Sequence, residues 1–302
     1  MTHYQLIESN KRKSFFVIFF FIVFIISASY AMVYGLGYGM DLVGIALIFS
    51  GIMSFASYWY SDKIILGISG AHEASRDKYF DFYTLAENLA YSKKMPKPKL
   101  YVMDDTAMNA FATGRDPEHA VICVTTGLLD KLNRAELEGV IAHELSHISN
   151  YDIRLMSIVT ILVGFIALLS DWMLRMTFWG KKKSSDREGG QLQLVIFVVG
   201  LVLAILSPLI AKIIQLAISR KREFLADASA VGFTKNPQGL INALDKISND
   251  KEPLEAANKA TAHLYISNPL KNLPPGMFTN LFATHPPVQD RISALKGVAG
   301  TK

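Results

Sequence analysis

Four apolar runs constrain this chain more than anything else in it. Residues 14–33 (SFFVIFFFIVFIISASYAMV) and 42–60 (LVGIALIFSGIMSFASYWY) carry no charged side chain. Residues 155–174 are apolar except for Asp171, and residues 192–218 are broken only by Pro208, Lys212 and a few neutral polar residues. A helix needs about 20 apolar residues to cross the hydrocarbon core of a bilayer. The runs therefore predict about four transmembrane helices, with Asp171 and Lys212, each toward a segment end, reaching the headgroups. The first run is too long for the apolar part of a signal peptide, and a second follows at once, which reads as a transmembrane hairpin. Charged residues make up 19% of the chain, below the roughly 25% of an ordinary soluble domain. That excludes disorder, coiled coil and collagen. Cys123 is the single cysteine, so the chain is no disulfide-stapled module. The net charge of +5 sits largely beside apolar runs, where topology accounts for it, and nucleic acid is not an expected partner.

Orientation follows from basic residues. Lys11, Arg12 and Lys13 precede the first run, and the turn 35–41 has no Lys or Arg. The positive-inside rule places the N-terminus in the cytoplasm, that turn outside, and the chain after Ser61 back in the cytoplasm. Between residues 61 and 154 the chain reads as soluble. Residues 73–92 have helical spacing in Phe80, Phe82, Leu85 and Leu89. A Lys/Pro-rich linker at 93–99 follows. KLYVM (99–103) and AVICVT (120–125) read as strands, with NAFATG (109–114) as a shorter extended piece between them. Asn133 with Glu136 forms a capping-box pair that opens a helix with an apolar stripe of Leu137, Val140, Ile141, Leu145 and Ile148.

That helix carries His143-Glu144-Leu145-Ser146-His147. Residues four apart share one helix face, so the two imidazoles can converge on one Zn²⁺ ion, and Glu144 lies beside them, placed to take a proton from the attacking water. His72-Glu73 begins in the same way, but position 76 is Arg, so it lacks a second ligand. A catalytic zinc site needs a third protein ligand and an open fourth position. Among the remaining acidic residues Glu223 is the best candidate, in SRKREFLAD (219–227). Asp227 shares its helix face and is placed to accept the N–H of a ligand histidine. His147 and Glu223 can meet only if the chain between them crosses the membrane an even number of times, which the third and fourth runs satisfy. The loop 180–190, with Lys181, Lys182, Lys183 and Arg187, then lies outside, against the same charge rule. A hairpin that does not fully cross also reunites the ligands.

NAFATG, HELSH, SRKREFLADA and THPPVQDRI, in this order and with two hydrophobic runs between the second and third, resemble the HtpX-type membrane metalloproteases, relatives of the type I CAAX prenyl proteases. The resemblance covers nearly the whole chain. It implies that His143, His147 and Glu223 ligate zinc, that Glu144 is the catalytic base, and that Asp227 is the carboxylate behind a ligand histidine. It further implies that Asn109 and Ala110 hold substrate backbone from an edge strand, that His285 steadies the oxyanion, and that Arg291 completes an H-P-P-x-x-x-R pattern. Read from the residues alone, His143 and His147 also suit a surface helix with two solvated histidines, Glu223 and Asp227 an exposed acidic pair, Asn109 a turn, His285 a proline-stiffened loop, and Arg291 a solvated helix start.

The expected architecture is a mainly α membrane protein. A transmembrane hairpin (1–60) is followed by a cytoplasmic protease part with the HExxH helix (61–154). A second hydrophobic hairpin (155–218) leads to a C-terminal cytoplasmic part with the third ligand (219–302), and the protease domain is α+β with a small sheet. The expected activity is zinc-dependent endopeptidase action on misfolded or surplus membrane proteins at the cytoplasmic face of the bacterial inner membrane. The protein's partners are then membrane-protein substrates and the lipid bilayer. A dedicated precursor-processing protease and a membrane scaffold with a structural zinc site remain open alternatives.

Overall fold

A computed structural model describes residues 3–36, 41–179, 220–255, 261–267 and 286–299. The fourth apolar run, the basic loop 180–190 and His285 lie outside the described residues.

The chain enters through α1 (His3–Leu36), α2 (Asp41–Trp59) and the short α3 (Ser61–Ile68). A small αβ body follows: β1 (His72–Glu73), α4 (Phe80–Ser92), β2 (Lys99–Met103), β3 (Ala110–Gly114) and β4 (Ala120–Thr125). Next come α5 (Thr126–Lys131), α6 (Arg134–Ser149) and the long α7 (Asp152–Trp179). The last described helices are α8 (Arg220–Thr234), α9 (Pro237–Asn249) and α10 (Val288–Ala299). The four strands form one mixed sheet in the order β1-β2-β4-β3. β2 and β4 run parallel with Leu100 opposite Ile122, whereas β3 lies antiparallel to β4 at the sheet edge, with Ala112 opposite Ile122.

Both faces of the sheet are covered, which explains why β4 reads as the unbroken apolar run AVICVT rather than as an alternation. Ile122 and Val124 face a core shared with Phe82 and Leu85 of α4, Val140, Ile141 and Leu145 of α6, and Leu240 of α9. Val121 and Cys123 face the other way, onto Ile65 of α3, Leu155 and Val159 of α7, and Tyr265. Burial pushes the Cys123 thiol well above its ordinary pKa, so it stays protonated. A third cluster joins Phe21 of α1 to Ile158, Leu162 and Ile166 of α7. On the outer sides of α1 and α2, Phe15, Phe16, Phe19, Phe20, Ile45, Ile48, Ile52 and Phe55 are exposed. A contiguous apolar surface of that kind marks a contact with lipid or protein.

Two expectations change here. Residues 73–92 are not one helix: His72–Glu73 pairs antiparallel with β2, and the helix starts only at Phe80. The polar stretch 75–79 offers no apolar stripe to bury, and the Ala74 N–H is taken by the Leu100 carbonyl at 2.9 Å. The second concerns the spans. Among the described residues no single helix is long and apolar enough to cross a membrane. Two pairs bent by 83° pass by length and composition, Val43–Trp59 with Ser61–Ile68 and Arg134–Ser149 with Asp152–Ile166. The second pair begins with α6, whose side chains are nearly all buried in the αβ body.

Local signals set α6 and α9. Asn133 Oδ1 accepts the Glu136 N–H at 3.0 Å while Glu136 Oε2 accepts the Asn133 N–H at 2.9 Å, completing the capping box. Asn236 caps α9, with Pro237 in its first turn. The two helices touch backbone to backbone: a Cβ on Gly139 would stand 2.8 Å from the Leu240 nitrogen. Gly139→Ala therefore gains helix propensity worth about 1 kcal/mol but overpacks a contact at a cost of about 1–3 kcal/mol. Thermal unfolding in detergent should show a lower midpoint for this variant. Gly232→Ala in α8, where nothing lies within 4 Å of the added Cβ, should show none. Equal midpoints for the two variants would refute the close α6–α9 contact.

Candidate metal centre

The cap at Asn133 starts α6 in the register that turns His143 and His147 toward α8. Their rings stand nearly perpendicular, with centroids 4.8 Å apart and the two Nε2 atoms 3.2 Å apart. Glu223, fully buried in the first turn of α8, reaches both: Oε2 lies 3.7 Å from His143 Nε2, and Oε1 lies 3.5 Å from His147 Nε2. One ligand atom from each of the three residues falls within 4.8 Å of the others. Two imidazoles and one carboxylate, all buried, are the donor set of a catalytic rather than a structural zinc site, so these residues fit the ion.

Each imidazole is held from behind. His143 Nδ1 lies 3.0 Å from Asp227 Oδ1. Arg291 grips the same carboxylate with two bonds, Nε to Oδ2 at 2.8 Å and an Nη2 to Oδ1 at 2.7 Å. Arg291 is 0% exposed, so it is not the solvated helix start that its sequence position alone suggests. Its remaining nitrogen donates to the Ile266 carbonyl at 3.2 Å. Burial alone would raise the Asp227 pKa, but the Arg291 charge and the bonds from Arg291 and His143 outweigh it and hold the carboxyl at about 2. His143, desolvated and beside the guanidinium, is pushed down, so its ring stays neutral as a ligand requires.

His147 is served by a residue that the motifs did not reveal. Asp152 Oδ2 lies 3.1 Å from His147 Nδ1. Burial pushes the imidazole down, yet the Asp152 bond and the Glu223 charge prevail and raise it to about 9, so a metal binding at Nε2 would have to displace a proton from this ring. Asp152 comes back toward the ring because Tyr151, at φ 59°, takes the left-handed conformation between α6 and α7. Sequence carried a signal for it: if one ligand histidine needs an acceptor for its second N–H, so does the other, and Asp152 is the first carboxylate after His147.

Glu144 is buried beside the ligands. Desolvation first, and the neighbouring Glu223 charge, lift its pKa to about 7, although the Ala112 N–H donates to its carboxylate. A carboxyl poised near neutrality suits proton transfer. Asn109 and Ala110 sit at the start of β3, on the sheet edge nearest this cluster, but they face the chain's own backbone. Asn109 Nδ2 donates to the Ser267 carbonyl at 3.1 Å, and the Ala110 carbonyl accepts the Ile266 N–H at 2.9 Å. Of the residues singled out in the sequence, His143, Glu144, His147, Glu223, Asp227 and Arg291 thus form one buried cluster, with Asn109 and Ala110 at its edge.

A family model described as Peptidase family M48 matches residues 81–299. The chain is 42% identical over 295 residues to a "Protease HtpX homolog" of Dictyoglomus turgidum, covering 98% of this chain and 94% of that one. It is 42% identical over 299 residues to the protein so named in Streptococcus uberis, covering 97% and 99%. Among solved structures, the crystal structure of S. mikatae Ste24p matches with a TM-score of 0.52 at 18% identity. That match covers 96% of this chain and 66% of that one, and it is a likeness of fold. With its family model spanning the αβ body and its relatives matching nearly end to end, the chain belongs to peptidase family M48 and is a membrane-associated metalloprotease of the HtpX type.

Proposed function

We propose that the chain is a zinc endopeptidase of the bacterial inner membrane, cutting misfolded or surplus membrane proteins at the cytoplasmic face. The observation that carries this reading is the convergence of His143, His147 and Glu223 beside a buried Glu144. His143, His147 and Glu223 hold the ion, which when bound supplies Lewis acidity toward the scissile carbonyl and acidifies water. Glu144 takes the proton of the attacking water on a carboxylate oxygen and returns it to the departing amine nitrogen. Asp227 and Arg291 keep His143 in the tautomer that presents Nε2 inward. Asn109 and Ala110 are assigned to the substrate backbone, which requires residues 265–267 to leave the β3 edge. His285 is assigned to the developing oxyanion. The lipid-side placement rests on the uncharged runs in α1 and α2 and on their exposed aromatic faces. The cytoplasmic orientation rests on Lys11, Arg12 and Lys13 before the first run.

Detergent-solubilised protein should cleave an unfolded protein substrate, and a zinc chelator should abolish the cleavage. Glu144→Gln, which cannot accept the proton, should keep its zinc and lose at least about 10²-fold in activity. Stoichiometric loss of zinc from this variant would make Glu144 a ligand instead.

Ligand and supporting carboxylate are separable. Glu223→Ala should fail to hold zinc even in excess metal. Asp227→Ala should bind it with about 10- to 100-fold lower affinity, since its three ligands remain. Equilibrium dialysis against zinc buffers ranks the two, and the reverse order would exchange their roles.

Sidedness can be read with thiol labels, because the native Cys123 is buried and stays protonated. A cysteine at Tyr91, 87% exposed, should react only from the cytoplasmic side of sealed vesicles. One at Tyr38 should react only from the opposite side. Reaction of both from the same side would overturn the hairpin topology.

A further inference from the structure

Asp152 does not hold His147 alone. Its other oxygen, Oδ1, accepts from Arg222 at 3.2 Å and from Asn10 at 2.8 Å. Asn10 belongs to α1, in the turns before the uncharged run, and is separated from Asp152 by 142 residues in sequence. Its amide spends both hydrogens on the bend between α6 and α7, one on Asp152 Oδ1 and one on the Asn150 carbonyl, each at 2.8 Å. The bend between them contains Tyr151 in the left-handed conformation, at φ 59°. Lys11 adds a second contact at the same place, its ammonium 4.6 Å from the centroid of the Tyr151 ring. Asn10 and Asp152 are each only 2% exposed, so a carboxamide has been buried where an apolar side chain would pack at no desolvation cost. A buried amide of this kind is retained where its direction matters: it fixes which way the Asp152 carboxylate points.

We propose that Asn10 is a positioning residue of the metal site: by clamping Asp152 and the α6–α7 bend it fixes the ring of His147, so that zinc affinity depends on the docking of the first helix. This rests on the reading of His143, His147 and Glu223 as the ligand set. A histidine that presents Nε2 to a metal donates its Nδ1–H elsewhere, and the acceptor sets both tautomer and ring angle. For His147 that acceptor is Asp152, whose orientation is shared between Arg222 of α8 and Asn10 of α1. The helix that carries the exposed phenylalanines thereby bears on one of the metal ligands. Removing Asn10 leaves all three ligands and Arg222 in place but frees the carboxylate to rotate and the bend to relax. Asn10→Asp goes further, because it sets a second carboxylate against Asp152, and the two can then lie together only by repelling or by taking up a proton.

The test uses the full chain in detergent. Zinc affinity is measured by competition with a chromophoric chelator, and the ligand field is read from the visible absorption bands of the cobalt(II) form. Asp152→Ala and Asn10→Ala should each weaken zinc binding about 10- to 100-fold, the usual scale for lost outer-shell partners, and both should shift the cobalt bands. Asn10→Asp should bind more weakly than Asn10→Ala. Arg12→Ala, on an exposed position of the same helix, should match wild type in both readouts. If Asn10→Ala lowers the thermal midpoint while zinc affinity and cobalt bands stay at wild-type values, Asn10 is packing only and the proposal fails. If Asp152→Ala misfolds, the Asn10 pair still decides. The ligand assignment is checked apart, by His147→Ala: undiminished zinc affinity in that variant would sink the ligand set itself and the inference with it.

Discussion

Four carboxylates, those of Glu144, Asp152, Glu223 and Asp227, lie buried within one small volume of this protein. An isolated ionised carboxylate carries a penalty of several kcal/mol when taken out of water, so the packing around them follows from how each is compensated. Asp227 is neutralised by the two-bonded guanidinium of Arg291, and Asp152 by Arg222, with the Asn10 amide donating a further hydrogen bond. Glu223 lies among His143, His147 and Arg291. Glu144, where desolvation outweighs the charges of His147 and Arg291, is the one driven up to about 7. The divalent cation that this donor set fits would place positive charge where the negative charge is densest. The same compensation dictates which elements must touch: α10 has to reach α8 to deliver Arg291, and α8 has to lie along α6 to deliver Glu223 and Arg222.

Much of this was legible in the sequence, for identifiable reasons. H-E-x-x-H is a local pattern whose geometry follows from helix periodicity, and the structure places His143 and His147 as that periodicity requires. Glu223 and Asp227 were legible through their context, because a spacing of four on a helix is common by itself and gained meaning only after an apolar run, beside Arg220, Lys221 and Arg222, in a chain that already carries H-E-x-x-H. The strands at 99–103 and 120–125 appeared through apolar runs, and their parallel pairing shows why those runs do not alternate. Asp152 could be found only by asking what accepts the second N–H of His147, and Asn10 left no mark at all, because its role depends on the bend at Tyr151 and on a helix docking from the far end of the chain. The burial of Arg291 was hidden likewise, since a charged residue near a helix start looks solvated until its partner carboxylate is found. The helix anticipated over 73–92 came out short because the spacing that signalled it belongs wholly to its C-terminal part.

The β3 edge shows a different economy. Alternate backbone groups of an edge strand face outward and need partners. Here the Ala110 carbonyl is taken by Ile266, the Ala112 N–H by Glu144 and the Gly114 N–H by Ser157 Oγ at 3.3 Å. One strand edge thus ties together the segment at 265–267, the residue assigned as base, and helix α7. Arg291 extends the tie by bonding the Ile266 carbonyl on its far side.

The wide sequence separations inside the cluster bear on the order of folding. Arg291 and His143 are 148 residues apart, Arg291 and Asp227 are 64 apart, and Arg222 and Asp152 are 70 apart. Contacts closed over such distances form late, because the chain entropy lost in closing the loop is recovered only once the partners pack. Helix α6, by contrast, is nucleated by its own cap. A half-folded chain would hold two histidines on a helix with neither the third donor nor the guanidinium that steadies the cluster. The complete donor set therefore exists only in a chain whose α8 and α10 have both docked against α6.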